Sequence, residues 1–145
     1  MSLFDSISVS ASGLTAQRQR AEVLVENIAN ADTTRTAGGG PYRRQDVVFE
    51  SQSTGEPFSS VLQNQMDDQP KGVAISQIVT DQSEPDKRYM PGHPDADKDG
   101  YVAFPKVNPA EDMVDLMGAS RAYQANVSAI SAVKDMISRS MDLFH

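Results

Sequence analysis

Hydrophobic residues recur every seven positions at both ends of the chain, and the stretch between follows a different pattern. Ile7, Leu14, Ala21 and Ile28 are spaced by sevens near the N-terminus, with Phe4, Ala11 and Val25 interleaved at offsets of three and four. Near the C-terminus Leu116, Tyr123, Ile130, Ile137 and Phe144 repeat that spacing, flanked by Val127 and Met141. A sustained seven-residue apolar repeat keeps one narrow stripe of a helix facing one partner, which is what a coiled coil requires. The pattern predicts two long terminal helices that pair with each other or with copies of themselves, with these residues as the assembly interface. Arg18 is the one break in the first seam, and its aliphatic stem is long enough to lie along a groove while its charge reaches water.

Helix boundaries follow from capping chemistry. Ser2 can cap the first helix with Asp5 three residues on, Gly13 weakens it slightly, and Asn30 within Asn30-Ala31-Asp32 suits its end. The last helix has the clearest start: Asn108 as N-cap, Pro109 at the first helical position and Glu111 at the capping-box position. No proline follows up to His145, and roughly 35 residues at 1.5 Å each give a helix about 50 Å long. A chain of this size cannot cover such a helix alone, so its apolar face must find another helix.

Between the helices, periodicity switches. Tyr42 to Glu50, Val73 to Thr80 and Tyr101 to Phe104 read as strands from their β-branched and aromatic content. Residues 51–70, with Gly55, Pro57 and Pro70, read as a mobile loop, and Gly38-Gly39-Gly40-Pro41 as a flexible joint. The expected class is α+β: long terminal helices paired as an α-helical coiled coil, and a small antiparallel β-rich middle. Residues 1–32 with 107–145 form the discontinuous helical inner domain of this reading, and 33–106 the outer domain.

Composition narrows the function. A hydrophobic fraction of 39% with no Trp is lean for one compact core, which favours burial through assembly. The net charge is −7, and residues 1–30 carry only Arg18 and Arg20 against Asp5, Glu22 and Glu26. No basic segment exists to grip nucleic acid or an anionic membrane surface. There are no cysteines, which excludes disulfides and thiolate metal sites. Residues 1–17 hold neither Lys nor Arg, so a cleaved secretory signal is not expected.

Candidate chemistry is sparse. Asp95, Asp97 and Asp99 followed by Gly100 imitate the first half of a calcium loop, but Lys106 stands where the bidentate Glu is required. A tight acidic turn into the Tyr101 strand is the better reading. The glycine run lacks a following Gly-Lys-Ser/Thr, so it does not read as a phosphate loop. His93 has no nucleophile to serve, and Asp67-Asp68 reads as a solvated pair. We therefore expect no catalytic, cofactor or metal site and no small-molecule substrate. Met113, Met117, Met136 and Met141 suit an adaptable packing surface.

Several stretches resemble the flagellar basal-body rod proteins. Ala11-Ser12-Gly13-Leu14-Thr15-Ala16-Gln17, followed by Asn27-Ile28-Ala29-Asn30-Ala31-Asp32-Thr33, is similar to the N-terminal motif of that family. Arg121-Ala122-Tyr123-Gln124-Ala125-Asn126 is similar to its C-terminal motif. Tyr89 to Ala96, with Gly100-Tyr101-Val102, resembles the proximal-rod members and not the longer distal-rod or hook proteins. Glu26 and Lys106 depart from the usual motif residues, away from the seams. The resemblance implies a structural subunit of the proximal rod in the periplasm, exported without a cleaved signal peptide by the flagellar export apparatus. It implies a helical hetero-oligomer with other rod subunits, the membrane-ring and export-gate junction and the distal rod, its terminal helices lining a channel and its body transmitting torque. The competing expectation is a soluble helical adaptor or export chaperone whose two helices satisfy each other.

Overall fold

The computed structural model describes residues 3–53 and 71–142. Helix α1 spans Leu3–Ala29, strands β1 and β2 span Gln45–Ser53 and Lys71–Thr80, β3 and β4 span Asp86–Tyr89 and Tyr101–Phe104, and helix α2 spans Pro109–Asp142. The class is α+β. Ser2, Phe144 and residues 54–70 of the loop expected over 51–70 lie outside the described residues, and its first three residues, 51–53, belong instead to β1.

The serine-rich start of α1 is reconciled with a helix by local hydrogen bonds. Ser8, Ser12 and Thr15 hydroxyls donate to the carbonyls of Asp5, Val9 and Ala11 one turn back. At the other end the Asn30 amide, in both its backbone and side-chain N–H groups, donates to the Glu26 carbonyl at 3.1 and 3.0 Å. Helix α2 starts as its sequence prescribes: Asn108 Oδ1 accepts from the Ala110 N–H at 3.2 Å, and the Asn108 carbonyl accepts from Asp112 at 3.0 Å.

The strands form two separate two-stranded sheets, β1 with β2 and β3 with β4, where one small sheet was expected. Strand β3 is Asp-Lys-Arg-Tyr, fully exposed and without alternation, so hydrophobic patterning gave no sign of it. It pairs antiparallel with β4, Asp86 opposite Phe104 and Tyr89 opposite Tyr101. The Arg88 guanidinium lies over the Phe104 ring at 4.6 Å, and Tyr89 meets Tyr101 edge to face. Gly100 makes this closure possible. Its φ is +82°, and a Cβ there would sit 2.9 Å from the Tyr89 ring.

The chain divides into two compact units. The first comprises Met1–Gln19, Phe49–Ser76 and Ala119–His145, and the second Arg20–Val48 and Gln77–Gly118. Within the first, α1 and α2 approach closely at small residues: a Cβ on Gly13 would lie 3.1 Å from Asn126 Nδ2. Ala16, Ala119 and Val133 are its buried apolar side chains, and the Ser12 hydroxyl accepts the Val73 N–H at 3.0 Å. The second unit buries Val23, Leu24, Tyr42, Val102 and Phe104. Its glycine segment is a closed turn and not a loose joint. Thr36 N–H donates to the Gly40 carbonyl at 2.8 Å, with Gly39 and Gly40 both at positive φ.

Candidate assembly interface

The heptad positions divide by exposure. Phe4 is 74% exposed, Val25 51% and Met141 64%, and Tyr123, Val127 and Ala11 are also exposed. Ile7, Leu14, Ala21, Ile28, Leu116, Ile130 and Ile137 are half-buried. The lines buried deepest within the chain are others. In α1 they are Ala16, Val23, Leu24 and Asn27; in α2 they are Asp112, Ala119 and Val133, with Asn126 half-buried on the same seven-residue spacing. Each helix therefore turns small and polar residues inward together with a few larger apolar ones, Val23, Leu24 and Val133, and leaves other large apolar side chains at the surface. Met113, Val114, Met117 and Met136 extend this exposed apolar surface on α2.

In the second unit a polar node holds α1, the approach to β1 and the start of α2. Asn27 is fully buried within α1. Its Oδ1 accepts from the Tyr42 hydroxyl at 2.9 Å and the Gln45 N–H at 3.0 Å, and its Nδ2 donates to the Gln45 carbonyl at 2.8 Å. The side chain thus stands in for a neighbouring strand at the point where β1 begins. Nearby, Arg44 donates through Nη2 to Asp112 Oδ1 at 2.9 Å and lies 3.6 Å from Asp46. Arg20 approaches Asp115 at 3.6 Å. None of these contacts was anticipated from the heptad pattern. The visible signal was a cluster of polar residues, which patterning assigns to the surface.

Burial first, then the Glu26 and Asp112 charges, pushes the Tyr42 hydroxyl up to about 12 from an ordinary value of 10.0. The folded unit therefore keeps a proton that the unfolded chain loses, so the stabilisation is complete below the ordinary tyrosine range. It is lost as the pH climbs from about 10 to about 12. Tyr42→Phe is expected to flatten this alkaline limb of the unfolding curve, measured as urea midpoint against pH.

The remaining candidate chemistry is structural. Asp97 Oδ1 accepts from the Asp99 and Tyr101 N–H groups at 2.9 and 2.8 Å, closing the turn that delivers β4. Asp95 accepts from the Thr34 hydroxyl at 2.8 Å and pairs with Arg35 at 3.5 Å, tying the segment after α1 to the turn. His93 Nδ1 accepts the Asp95 N–H. Hydrogen bonds from Ser83 hold the Asp81 carboxyl below the usual range. A cleft of about 320 Å³ beside the start of α2 sets Arg44 and Lys106 against Asp81, Asp86 and Glu111, a mixture with no convergent charge. Among the described residues no group of three or more His, Asp or Glu is gathered to hold a metal ion.

Comparison with known proteins bears on both helices. Residues 7–35 match the family described as Flagella basal body rod protein, and residues 98–143 match the Flagellar basal body rod FlgEFG protein C-terminal family. The flagellar basal-body rod protein FlgC of Bacillus subtilis strain 168 is 44% identical over 150 residues, covering 99% of both chains. The FlgC of Borreliella burgdorferi is 45% identical over 94% of this chain and 93% of its own, and that of Escherichia coli O157:H7 39% identical over 99% and 98%.

The chain belongs to the flagellar basal-body rod protein family. It is a structural rod subunit of the flagellar basal body. The two matched segments cover most of α1 and all of α2, together with the β4 turn. Asn27 and Asp112 of the polar node and most of the exposed apolar lines lie within the matched segments.

Proposed function

We propose that this rod subunit occupies the proximal rod and assembles through the apolar heptad lines of its two helices. On this reading the helices pair as a coiled-coil inner domain, residues 1–32 with 107–145, and residues 33–106 form the outer domain. The subunit does no chemistry of its own. It joins other rod subunits in a helical, non-closing array between the membrane-ring and export-gate junction and the distal rod, in the periplasm, transmitting torque around an export channel. It reaches that place without a cleaved signal peptide.

The observation that carries the proposal is the exposure of large apolar side chains at heptad spacing: Phe4 and Val25 on α1, and Tyr123, Val127 and Met141 on α2. A self-contained adaptor or chaperone would cover these residues with its own partner helix. The near-full-length similarity to FlgC proteins supports the proximal placement, and the Gly13–Asn126 approach supports helix pairing within the first unit.

The lack of native cysteines makes the test direct. Val25→Cys and Val127→Cys chains are each treated with a maleimide as purified protein and inside isolated basal bodies. Both thiols are expected to react in the free chain and to be protected in the rod. Equal reactivity in the two states would remove these lines from the interface.

A further inference from the structure

At the start of α2, the carboxylates around Asp112 outnumber the guanidiniums paired with them. Asp112 has a side chain 1% exposed and a single partner, Arg44 Nη2 on Oδ1; its Oδ2 and the Arg44 Nε are both buried without a partner in the protein. Around it, Asp46 beside Arg44 and Asp115 on α2 contribute two further carboxylates. From α1, Arg20 faces Asp115, and Glu26 faces Tyr42. Three carboxylates, Asp46, Asp112 and Asp115, thus share two guanidiniums. Asp46 and Asp115 are 58% and 42% exposed, so water solvates them, whereas Asp112 is out of its reach.

We infer that Asp112 is a proton-responsive latch for the first turns of α2, docked more firmly against the β1 approach when protonated than when ionised. An ionised carboxylate with one oxygen buried and unpartnered bears a desolvation cost that one Arg bond offsets only in part. Protonation replaces that cost with the smaller one of burying a neutral hydroxyl, leaves Oδ1 free to accept from Arg44, and does not strand the guanidinium, because Asp46 remains beside it. The N-terminal end of the helix favours the anion and so opposes the burial cost, but it supplies no partner for Oδ2. The balance agrees with the Asp112 carboxyl lying above the usual range, through burial first, with Arg44 opposing and Asp46 and Asp115 reinforcing. The sign follows: Asp112 stabilises the unit below the ordinary carboxylate range, and that contribution is lost as the pH rises through its raised value. Docking of α2 in this unit is thereby coupled to the proton concentration around the subunit.

The test uses the full chain and its Asp112→Asn variant, which mimics the protonated form. Urea midpoints are read across the carboxylate titration range from the Val102 methyl resonances, which report the second unit's core. The variant is expected to have the higher midpoint at neutral pH. The gap should close in mild acid as the wild type gains stability, and contributions from carboxylates that do not interact with Asp112 cancel in the difference. A constant gap overturns the inference, as does a variant less stable at neutral pH whose deficit closes on acidification. If the variant does not fold, the wild-type Asp112 side-chain carboxyl titration by NMR decides. A midpoint above the ordinary Asp range supports the latch, and one at or below it overturns the latch.

Discussion

Asn27→Ala is expected to unfold the second unit under conditions where Tyr42→Phe is merely weakened. Alanine removes the acceptor of the Tyr42 hydroxyl and both partners of the Gln45 backbone at once. Each polar group left buried and unpaired costs about 1–3 kcal/mol, so three of them remove about 3–9 kcal/mol, towards the lower end because the Gln45 backbone is half-buried. A small domain has about 5–15 kcal/mol in total. Tyr42→Phe removes one donor, and Asn27 Oδ1 still accepts from Gln45, so its cost is about 1 kcal/mol. Urea unfolding of the full chain, followed at residues of the second unit, measures both. Equal losses for the two variants would reduce Asn27 to a packing residue and remove the node as the determinant of where β1 starts.

That node also explains which parts of the fold were legible in the sequence. Elements governed by local chemistry were readable: the Asn108 cap and Pro109 gave the start of α2, and β4 fell at the expected Tyr101 to Phe104. Strand β1 was expected from Tyr42 but begins at Gln45, because Tyr42 and Arg44 are drawn into long-range bonds with Asn27 and Asp112. Strand β3 was invisible because a two-stranded ribbon open to water needs no apolar alternation. What holds it is the pair of rings at Tyr89 and Tyr101, the cation over Phe104 and the glycine turn.

The buried faces of the helices were legible as a period but not as an azimuth. Counting large apolar residues finds a seven-residue repeat, and seven residues fall nearly on two helical turns whichever face is chosen. Which stripe turns inward depends on how closely the backbones approach, and small side chains set that. Gly13, Ala16 and Ala119 permit the approach, and Asn27, Asp112 and Asn126 fill the same lines with polar groups that satisfy specific partners. A hydrophobicity count gives little weight to any of these six. Several of the larger residues it does weigh, Phe4, Val25, Tyr123 and Val127, are left at the surface, while Val23, Leu24 and Val133 are buried.

Val127→Asp is expected to leave the free subunit folded and to abolish the rod. At 42% exposure the new carboxylate remains hydrated in the isolated chain, and a surface substitution of this kind typically shifts stability by about 0.5 kcal/mol or less. In an apolar helix interface the same charge is buried without a partner, which costs about 3–5 kcal/mol at each contact, and a helical array repeats the contact at every subunit of this kind. Cells carrying Val127→Asp should therefore be non-motile and lack rods, while the purified variant keeps the wild-type urea midpoint. Val127→Ile, which preserves the apolar surface, should restore motility and so separates charge from shape. Ile130→Asp provides the contrast, because Ile130 is half-buried in the subunit itself and its replacement should lower the midpoint as well as block assembly. Motile Val127→Asp cells with intact rods would show that the exposed α2 line does not face a neighbouring subunit, whatever the heptad spacing suggests.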